Sequence, residues 1–493
     1  MEMKYESEEL QKMKLSPAAR LFQSPRFNCH IVSLIGCTTS IDPDVIKHGL
    51  THTLLKHPRF SSKLVVDDNK FWRRRRWVRT SVNLNDHVFA PTLDSKIDDP
   101  DQFVQDYISH LTTTPLDLSR PPWELHVLNL KTSDSESLGI FRIHHSVGDG
   151  ASLMSLLLAC TRRTSDPDAL PTLPAPIKPP TPPPDEGGFA ARFLRFLAAI
   201  WSAIVMIWNT VVDVTVFGAT ILFLSDTKTP IKGPPGVERS TKRFAHRSIS
   251  LADIKVVKNA TNTTINDVLL GVTQAGLSRY LNRRYGQNEK DVGRNKKTNY
   301  LPKKIRLNST ILVNLRPTVG IQALADMMAK NSKAKWGNLL GYLLLPFNIA
   351  LQDDPLDYVR QAKAIMDRKK HSYEAPCTYF CARLLQKVVG DELTAATARR
   401  AISNTTLAFS NMIGPLEEVS FYGHQIAYLA PSVYGHPHAL TIHFQSYVDK
   451  MTIVLAVDPN VISDPQCLFD DFEESLKLIR EAVVKQGLNK ETV

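Results

Sequence analysis

A long apolar run between two stretches of mixed pattern constrains the fold more than any other feature of this chain. Residues 196–224 contain a single charged residue, Asp213. As one helix the run would extend roughly 43 Å, which exceeds the ~30 Å hydrocarbon core of a bilayer. A carboxylate near the middle of such a run costs about 2.5–3.5 kcal/mol to insert. Three arrangements therefore stay open: a membrane-spanning helix, an interfacial or re-entrant helical hairpin, and a buried helix pair.

The sequence on both sides of the run has the mixed pattern of an α/β protein. Residues 27–37 form a strand-like run, and a helical pattern with one apolar face follows it and stops before Pro58. Further along, an amphipathic helical pattern covers 263–286 and a strand-like pattern covers 307–317. At 493 residues the chain is too long for one small core, so we expect two domains or one large two-lobed unit.

A proline-rich segment marks the end of the first part of the chain. Residues 166–188 include the sequence PPTPPP, which is typical of a semi-rigid, extended linker. We therefore predict three regions. They are an N-terminal lobe at 1–165, a linker with the apolar helical stretch at 166–235, and a C-terminal lobe at 236–493.

Two adjacent histidines, His144 and His145, stand at the predicted junction of a strand and a helix. The run SLGIFRIHH before the junction is typical of a strand, and ASLMSLLLACTRR after it has helical spacing. Asp149 lies between two glycines, which permit a tight turn. Histidine is the commonest general base near neutral pH because its unperturbed pKa is about 6.5. Asp149 could orient a ring or cap the following helix.

Two other interpretations of these residues need to be weighed. In the first, they form only a structural turn, with two histidines, an aspartate helix cap and glycines for the bend. In the second, the histidines bind a metal ion. Adjacent residues on a strand point to opposite faces, and no Cys or Glu follows at the spacing of a zinc motif. We therefore predict no metal site, while the purely structural turn stays open on spacing alone.

The sequence HHSVGDG, residues 144–150, resembles the HHxxxDG pattern of CoA-dependent acyltransferases. Further segments are similar, in the same order, to the plant branch of the wax ester synthase/diacylglycerol acyltransferase family. These segments are PLDLSRPPWELHVL at 115–128, TTINDVLLGVTQAGLSRYL at 263–281, VNLRP at 313–317 and SNMIGPLEEVSFYGHQI at 410–426. The resemblance covers nearly the whole chain. The DFGWG motif of the BAHD acyltransferases, a family with a similar fold, is absent.

The resemblance implies a two-lobed, chloramphenicol-acetyltransferase-like α/β fold, shared with condensation domains, with the apolar helical insertion between the lobes. It also implies an O-acyltransferase that makes wax esters from acyl-CoA and long-chain fatty alcohols, with diacylglycerol left open as a second acceptor. His145 would be the general base, and the acceptor hydroxyl would attack the thioester without a covalent acyl-enzyme. His144 would support His145, while Asp149 and Gly150 would fix the turn.

Candidate groups that bind the substrate oxyanion are less distinctive. No serine lies in a GxSxG nucleophile elbow, so we expect backbone or side-chain donors instead. Asn266, Ser410 and Asn411 are the candidates. The alternative is that Asn266 only caps a helix and that Asn411 only makes a turn before Gly414. Acyl-CoA is expected as a substrate, and no cofactor or metal is expected.

The charge balance and the N-terminus bear on partners and location. The net charge of +11 favours anionic partners such as phospholipid headgroups, CoA phosphates or nucleic acid. Nucleic acid is not expected, because the chain has no zinc-finger spacing, no RNP-like strand and no repeat. The six cysteines are scattered, which is typical of a reduced, cytosol-facing protein, and the charged N-terminus predicts no cleaved signal peptide. A homo-oligomer is left open.

The resemblance also decides which arrangement of the apolar run we predict. The active site of the family is built between two lobes, so a single span at 196–224 would separate His145 from Asn266 and Ser410. We therefore predict an interfacial or re-entrant helical hairpin, with membrane lipids as partners and both lobes on the cytosolic face. The predicted location is the endoplasmic reticulum membrane, with the plasma membrane left open as a second one.

The basic run KFWRRRRWVR, residues 70–79, allows two interpretations. It could contact membrane phosphates, with Trp72 and Trp77 at the lipid interface. It could equally be a solvated strand of an exposed hairpin.

Two alternative functions remain to be weighed against the enzyme. The first is a non-catalytic lipid-binding protein that retains the fold, which the intact His145, Asp149 and Gly150 argue against. The second is a soluble acyltransferase that acts on a small alcohol, which the long apolar run and the basic charge argue against.

Overall fold

The computed structural model describes residues 12–67, 74–94, 96–174, 189–287, 299–315, 320–330 and 336–488. The α-helices of the described residues are α1 (Pro17–Phe22), α2 (Pro43–His52), α3 (Pro100–Thr113), α4 (Gly150–Ala159), α5 (Phe189–Leu222), α6 (Leu251–Thr261), α7 (Ile265–Gln287), α8 (Ile321–Lys330), α9 (Leu356–Lys370), α10 (Glu374–Ser403) and α11 (Pro465–Lys485). The strands are β1 (Lys12–Lys14), β2 (His30–Cys37), β3 (Ser62–Asp67), β4 (Arg74–Arg79), β5 (Val88–Phe89), β6 (Trp123–Leu128), β7 (Ser137–His144), β8 (Thr161–Arg163), β9 (Arg243–Ser250), β10 (Asn308–Asn314), β11 (Leu340–Pro346), β12 (Leu407–Met412), β13 (Val419–Phe421), β14 (His424–Tyr434), β15 (Leu440–Tyr447) and β16 (Lys450–Val457).

Two large sheets form the centres of two lobes. The first sheet has the strand order β5-β6-β7-β2-β14-β13-β8, and the second has the order β11-β10-β12-β15-β16-β9. A small third sheet, β1-β4-β3, lies beside the first lobe. Helices and sheets are thus mixed in both lobes, and the predicted two-lobed α/β fold is confirmed.

The lobes are joined because strands from late in the chain complete the first sheet. β14 pairs antiparallel with β2, from Tyr434 opposite His30 to Ile426 opposite Cys37. The next strand, β15, belongs to the second sheet and pairs with β12 and β16. One cluster of buried side chains contains residues of both sheets, among them Val32, Tyr428, Phe244 and Val454. The predicted region boundaries at residues 165 and 235 stay a prediction. The strands at 419–434 lie in the predicted C-terminal region but belong to the first sheet, so position in the sequence alone does not assign them to a lobe.

Local sequence signals explain where several helices begin. Ser16 caps α1 through a hydrogen bond from the amide of Ala19, and the proline after Ser16 is the first residue of that helix. At the start of α7, Thr264 and Asp267 accept hydrogen bonds from each other's amides, which forms a capping box.

The apolar run is not a hairpin but one continuous helix, α5, of 34 residues. The predicted hairpin is therefore wrong. No proline interrupts the run and Gly218 is its only glycine, so nothing in the sequence breaks the helix. A buried helix pair is wrong as well, because most of α5 is exposed. In the described part of the chain, α5 is the one helix long and apolar enough to cross a membrane by length and composition.

Asp213, the charge inside the apolar run, faces the C-terminal lobe. Its carboxylate oxygen Oδ1 lies 2.7 Å from Nη2 of Arg368 and 3.1 Å from Nζ of Lys369, both on α9. The same lysine also lies 2.6 Å from Glu374 at the start of α10. The carboxylate that opposes membrane insertion is thus an anchor that holds α5 on the protein.

One further sequence prediction is corrected here. Trp77 is fully buried in β4 beneath the Arg59 guanidinium, so it does not lie at a lipid interface, while Trp72 lies outside the described residues. The helix α10 has no clear signal in the sequence. This helix has a break at Gly390, whose φ of 84° is not helical, and its apolar residues face outward as well as inward. Both features obscure the usual helical periodicity.

Replacing Asp213 with alanine is expected to lower the free energy of unfolding by about 1–3 kcal/mol. This loss is below that of a fully buried pair because Glu374 still neutralises Lys369. The matched control is Asp357→Ala, which removes a half-exposed ion pair with Arg360 and should cost less than about 0.5 kcal/mol. Urea unfolding of both variants tests the difference, and equal losses would contradict the anchor.

Candidate active site

The two histidines lie where β7 ends and a tight turn leads into α4. β7 ends at His144, and the amide of His145 donates a 3.0 Å hydrogen bond to the carbonyl oxygen of Cys29. Asp149 caps α4, because its Oδ1 accepts a 2.9 Å hydrogen bond from the amide of Ser152. The predicted strand, turn and helix are therefore confirmed.

His144 is held on both ring nitrogens. Nδ1 lies 3.0 Å from Nε2 of Gln23 and 3.2 Å from the amide nitrogen of Ser146, and Nε2 lies 2.8 Å from Oδ1 of Asn28. The hydrogen-bond network assigns the proton to Nε2, because the two amide groups donate to Nδ1. Burial, together with the nearby His145, lowers the pKa of His144 to about 3. His144 is thus a neutral, fixed neighbour of the second histidine.

His145 lines a cavity. Its ring stacks on the ring of Phe22, with 4.2 Å between the centroids. Nδ1 is enclosed by the protein, so Nε2 is the nitrogen available to a ligand. Burial lowers the pKa of His145, and the negative charge of Asp149 partly opposes this shift. The ring is therefore neutral at neutral pH, which is the form that accepts a proton.

The C-terminal region holds the histidine turn from the opposite side. Nδ2 of Asn338 donates to the carbonyl oxygen of His145 at 2.9 Å, and Nε1 of Trp336 donates to that of Val147 at 2.9 Å. A Cβ atom at Gly148 would lie 2.8 Å from Cζ2 of Trp336, so this close approach requires glycine. The turn that carries His145 is thus fixed by residues nearly two hundred positions away.

The cavity beside His145 has a volume of about 340 Å³ and is bounded by both lobes. Asp149 and Gly150 also line it. Most of its other walls are apolar, and they include Phe22, Ile31, Leu157, Leu340, Tyr342 and Phe409. An apolar cleft with few polar groups is suited to a ligand with an alkyl chain.

Two cysteines on the cavity wall do not supply a nucleophile. Burial raises the pKa of the Cys29 and Cys160 thiols, that of Cys160 to about 11. Both thiols therefore stay protonated at neutral pH, and the protonated form is the unreactive one. This state is compatible with direct transfer of an acyl group to its acceptor.

The structure brings the three predicted substrate-binding residues together. Ser410 and Asn411 lie in β12 and line the cavity. Nδ2 of Asn411 donates to Oδ1 of Asn266 at 2.6 Å, which places Asn266 behind Asn411. The alternative of a turn at Asn411 is wrong, and Thr264 and Asp267, rather than Asn266, make the cap of α7. The roles of all three residues in binding stay predictions.

His443 is a cavity residue that sequence reasoning missed. It lies in β15 opposite Ser410, and its Nδ1 is 3.1 Å from Oγ of Ser432. Burial and the nearby His145 lower its pKa to about 4. The available signal was weak: one histidine in an otherwise strand-like run is equally typical of an ordinary buried position. Within the described part of the chain, no group of three or more His, Cys, Asp or Glu residues is placed to hold a metal ion.

Solved structures share this fold. The wax ester synthase/diacylglycerol acyltransferase from Marinobacter aquaeolei VT8 aligns over 96% of this chain and 100% of its own, with a TM-score of 0.57 and 16% identity. The first condensation domain of the CDA synthetase aligns over 96% of both chains, with a TM-score of 0.55 and 14% identity. The fold therefore places the chain in the class of two-lobed, chloramphenicol-acetyltransferase-like proteins.

Sequence comparison identifies the family within this class. The family model "Wax ester synthase/diacylglycerol acyltransferase catalytic domain" matches residues 24–269, and the "WS/DGAT C-terminal domain" model matches residues 336–480. Wax ester synthase/diacylglycerol acyltransferase 6 of Arabidopsis thaliana is 52% identical over 97% of this chain and 95% of its own length. Wax ester synthase/diacylglycerol acyltransferase 4 of the same plant is 53% identical over 97% of this chain and 92% of its own length. The chain belongs to the wax ester synthase/diacylglycerol acyltransferase family, and it is an acyltransferase.

Replacing Asp149 with asparagine is expected to move the acid limb of the kcat/KM profile to lower pH. Activity requires neutral His145 and is lost as the pH falls through its depressed pKa. The negative charge of Asp149 raises the pKa of His145, so removing this charge lowers the pKa of His145 further. Asparagine still caps α4. The pH profile of acyl transfer from acyl-CoA measures the shift, and exposed Asp168→Asn is the control. An unmoved limb, or one at higher pH, would contradict the coupling.

Proposed function

We propose that this enzyme transfers an acyl group from acyl-CoA to the hydroxyl of a long-chain fatty alcohol and so forms a wax ester. Diacylglycerol is the second acceptor we propose, with triacylglycerol as the product. The observation that carries the proposal is a neutral histidine on the wall of an apolar cavity that both lobes enclose. The relatives from Arabidopsis, which are named for these two reactions, support the choice of substrates.

In the proposed reaction, Nε2 of His145 accepts the proton of the acceptor hydroxyl as its oxygen attacks the thioester carbonyl. The new C–O bond forms and the C–S bond breaks, and the departing CoA sulfur takes the proton back from His145. Acyl-CoA is a substrate, and the reaction calls for no cofactor. His144 holds the position of the turn, and the carboxylate of Asp149 stabilises the transient imidazolium.

The developing oxyanion requires hydrogen-bond donors on the opposite wall. We assign this role to Ser410 and Asn411, which line the cavity on β12. Asn266 orients the amide of Asn411 through their hydrogen bond. Removal of one such donor from an acyl-transfer site typically slows the reaction about 10²–10³-fold.

Membrane lipids are further partners in this proposal, because both acceptors are insoluble in water. We place the enzyme at the endoplasmic reticulum membrane, with both lobes on its cytosolic face and the plasma membrane as a second location. A homo-oligomer is compatible with the proposal. The exposed apolar helix α5 supports membrane association in general terms.

The experiment compares ester formation by wild type and His145→Ala, each given labelled palmitoyl-CoA with hexadecanol or diacylglycerol. We expect product from the wild type and a loss of about 10²–10⁴-fold in the variant, because proton transfer would lose its base. His110→Ala, an exposed histidine on α3, is the matched control and should keep full activity. The ratio of the two products ranks the acceptors.

Equal activity of wild type and His145→Ala would contradict the base role. A folded wild type that transfers acyl groups to neither acceptor would contradict the proposed substrates. Neither the comparisons nor the intact histidine turn favours the alternative of a non-catalytic lipid-binding protein.

A further inference from the structure

Two helices that lie side by side carry most of the exposed large apolar side chains of the described chain. α5 packs against α10, and polar contacts tie one face of α5 to the turn just before α10. Nδ2 of Asn209 donates to the carbonyl oxygen of His371 at 3.1 Å, and the amide of Tyr373 donates to Oγ1 of Thr210 at 2.9 Å. These contacts, together with the Asp213 anchor, direct the polar face of α5 toward the protein.

The opposite faces of both helices are apolar and exposed. On α10, the exposed fractions are 62% for Phe380, 62% for Leu384 and 69% for Val388, and the spacing of four residues places the three on one side of the helix. On α5, all of residues 192–204 are exposed, and the large apolar residues Phe193, Trp201, Ile204 and Trp208 lie on one side of the helix by their spacing. We call the combined surface the α5/α10 face, and its defining residues are Phe193, Trp201, Ile204, Trp208, Phe380, Leu384 and Val388. A soluble monomer rarely exposes so continuous an apolar surface.

The connectivity of the sheets excludes a simple membrane crossing by α5. The described residues up to 174 and those after α5 are parts of one body, because β14 completes the sheet that contains β2 and β7. The C-terminal end of α5 is also bound to the protein. Nε of Arg400 donates to the carbonyl oxygen of Ile221 at 2.7 Å, and Nδ2 of Asn404 donates to that of Thr220 at 2.7 Å. A single crossing by α5 would put parts of this body on opposite sides of a membrane, so we place α5 along the membrane surface.

The charges around this face favour a lipid surface over a second copy of the chain. Arg383 and Lys387 are exposed on α10 between the apolar residues. The acidic residues of the same helix are paired with other parts of the protein: Glu374 lies 2.6 Å from Lys369, Asp391 lies 3.4 Å from Arg20, and Glu392 accepts a 2.7 Å hydrogen bond from Ser24. Two identical basic faces would repel each other, whereas anionic headgroups would attract them. Tryptophans such as those of α5 are typical of the boundary between headgroups and acyl chains.

The C-terminal parts of α5 and α10 also contact one wall of the cavity. A single cluster of buried side chains joins Phe22 of α1, Tyr342 of β11 and Ile402 of α10, and Phe217 of α5 packs against it. Phe22, Tyr342 and Ile402 all line the cavity as well. The two helices that carry the apolar surface are thus packed against the wall of the cavity beside His145.

We propose that the α5/α10 face is a membrane-docking surface that binds an anionic phospholipid bilayer, with α5 lying in the plane of the membrane. The proposal specifies the partner surface of the acyltransferase and therefore rests in part on the proposed function. Its test measures binding rather than activity, so the two can fail separately.

The first test is flotation of the purified full-length protein with vesicles of phosphatidylcholine and phosphatidylserine. The triple variant Phe380→Ser, Leu384→Ser, Val388→Ser should bind about tenfold or more weakly than the wild type, because it loses the apolar contribution of α10. The control replaces exposed apolar residues elsewhere with serine: Val45 (43% exposed), Leu118 (41%) and Val484 (57%). The control variant and His145→Ala should bind as the wild type does.

The second test does not depend on weaker binding to vesicles. It measures how α5 and α10 are oriented at the membrane. A fluorophore on the exposed Cys381 of α10, in a chain whose half-buried Cys377 and Cys467 are serine, should become shielded from a water-soluble quencher when vesicles are added. Probes at Phe193→Cys and Trp208→Cys should be quenched to similar extents by shallow nitroxide lipids. A membrane-spanning α5 would separate these two probes in depth by about 22 Å.

Three results would overturn the proposal. The first is equal vesicle binding by the wild type and the triple variant, with no shielding at Cys381. The second is a large difference in depth between the two probes on α5. The third is loss of self-association in the triple variant with unchanged vesicle binding, which would assign the α5/α10 face to a second copy of the chain.

Discussion

The pairing of β14 with β2 is the interaction on which the rest of the structure depends. β2 lies between β7, which ends in His144, and β14, which arrives from the end of the chain. His30 is opposite His144 on one side and Tyr434 on the other. Just after β14 the backbone passes Gly435, whose φ is 91° and where a Cβ atom would lie 2.1 Å from the carbonyl oxygen of Asn28. Glycine alone fits this corner, from which the chain crosses into the second sheet and forms β15.

The passage of the chain from the first sheet into the second explains why the cavity is mainly apolar and has a histidine on each wall. Strands of the two sheets diverge at the corner, and the cavity between them is lined mainly by apolar side chains, with His145 on one wall and His443 on the other. Burial keeps both rings neutral. A neutral, enclosed imidazole held by a rigid neighbour can accept a proton without first losing a shell of water. The enclosure that lowers the pKa of His145 therefore also prepares it to act as a base.

Local patterns allowed much of the fold and part of the site to be predicted from the sequence. The strand, turn and helix around His145 depend on residues within a short window, and the order of the family segments indicated the two lobes. Contacts between distant segments could not be predicted. Three features depend on which strands pair. They are the hydrogen bonds from Trp336 and Asn338 to the histidine turn, the position of His443 in the cavity, and the outward face of α10. The partner of Asp213 lies 155 residues further along the chain and could not be predicted either. The hairpin predicted at 196–224 was wrong for a local reason instead, since the run contains no proline and a single glycine.

A structure of the enzyme with a non-transferable acyl-CoA analogue and a long-chain alcohol tests the central claim most directly. The account predicts that the alkyl chains occupy the cavity between the sheets and that the alcohol oxygen lies about 2.6–3.2 Å from Nε2 of His145, on the side of the thioester carbonyl. An alcohol bound in the cavity but far from His145, or an acyl group attached covalently to a side chain, would contradict it.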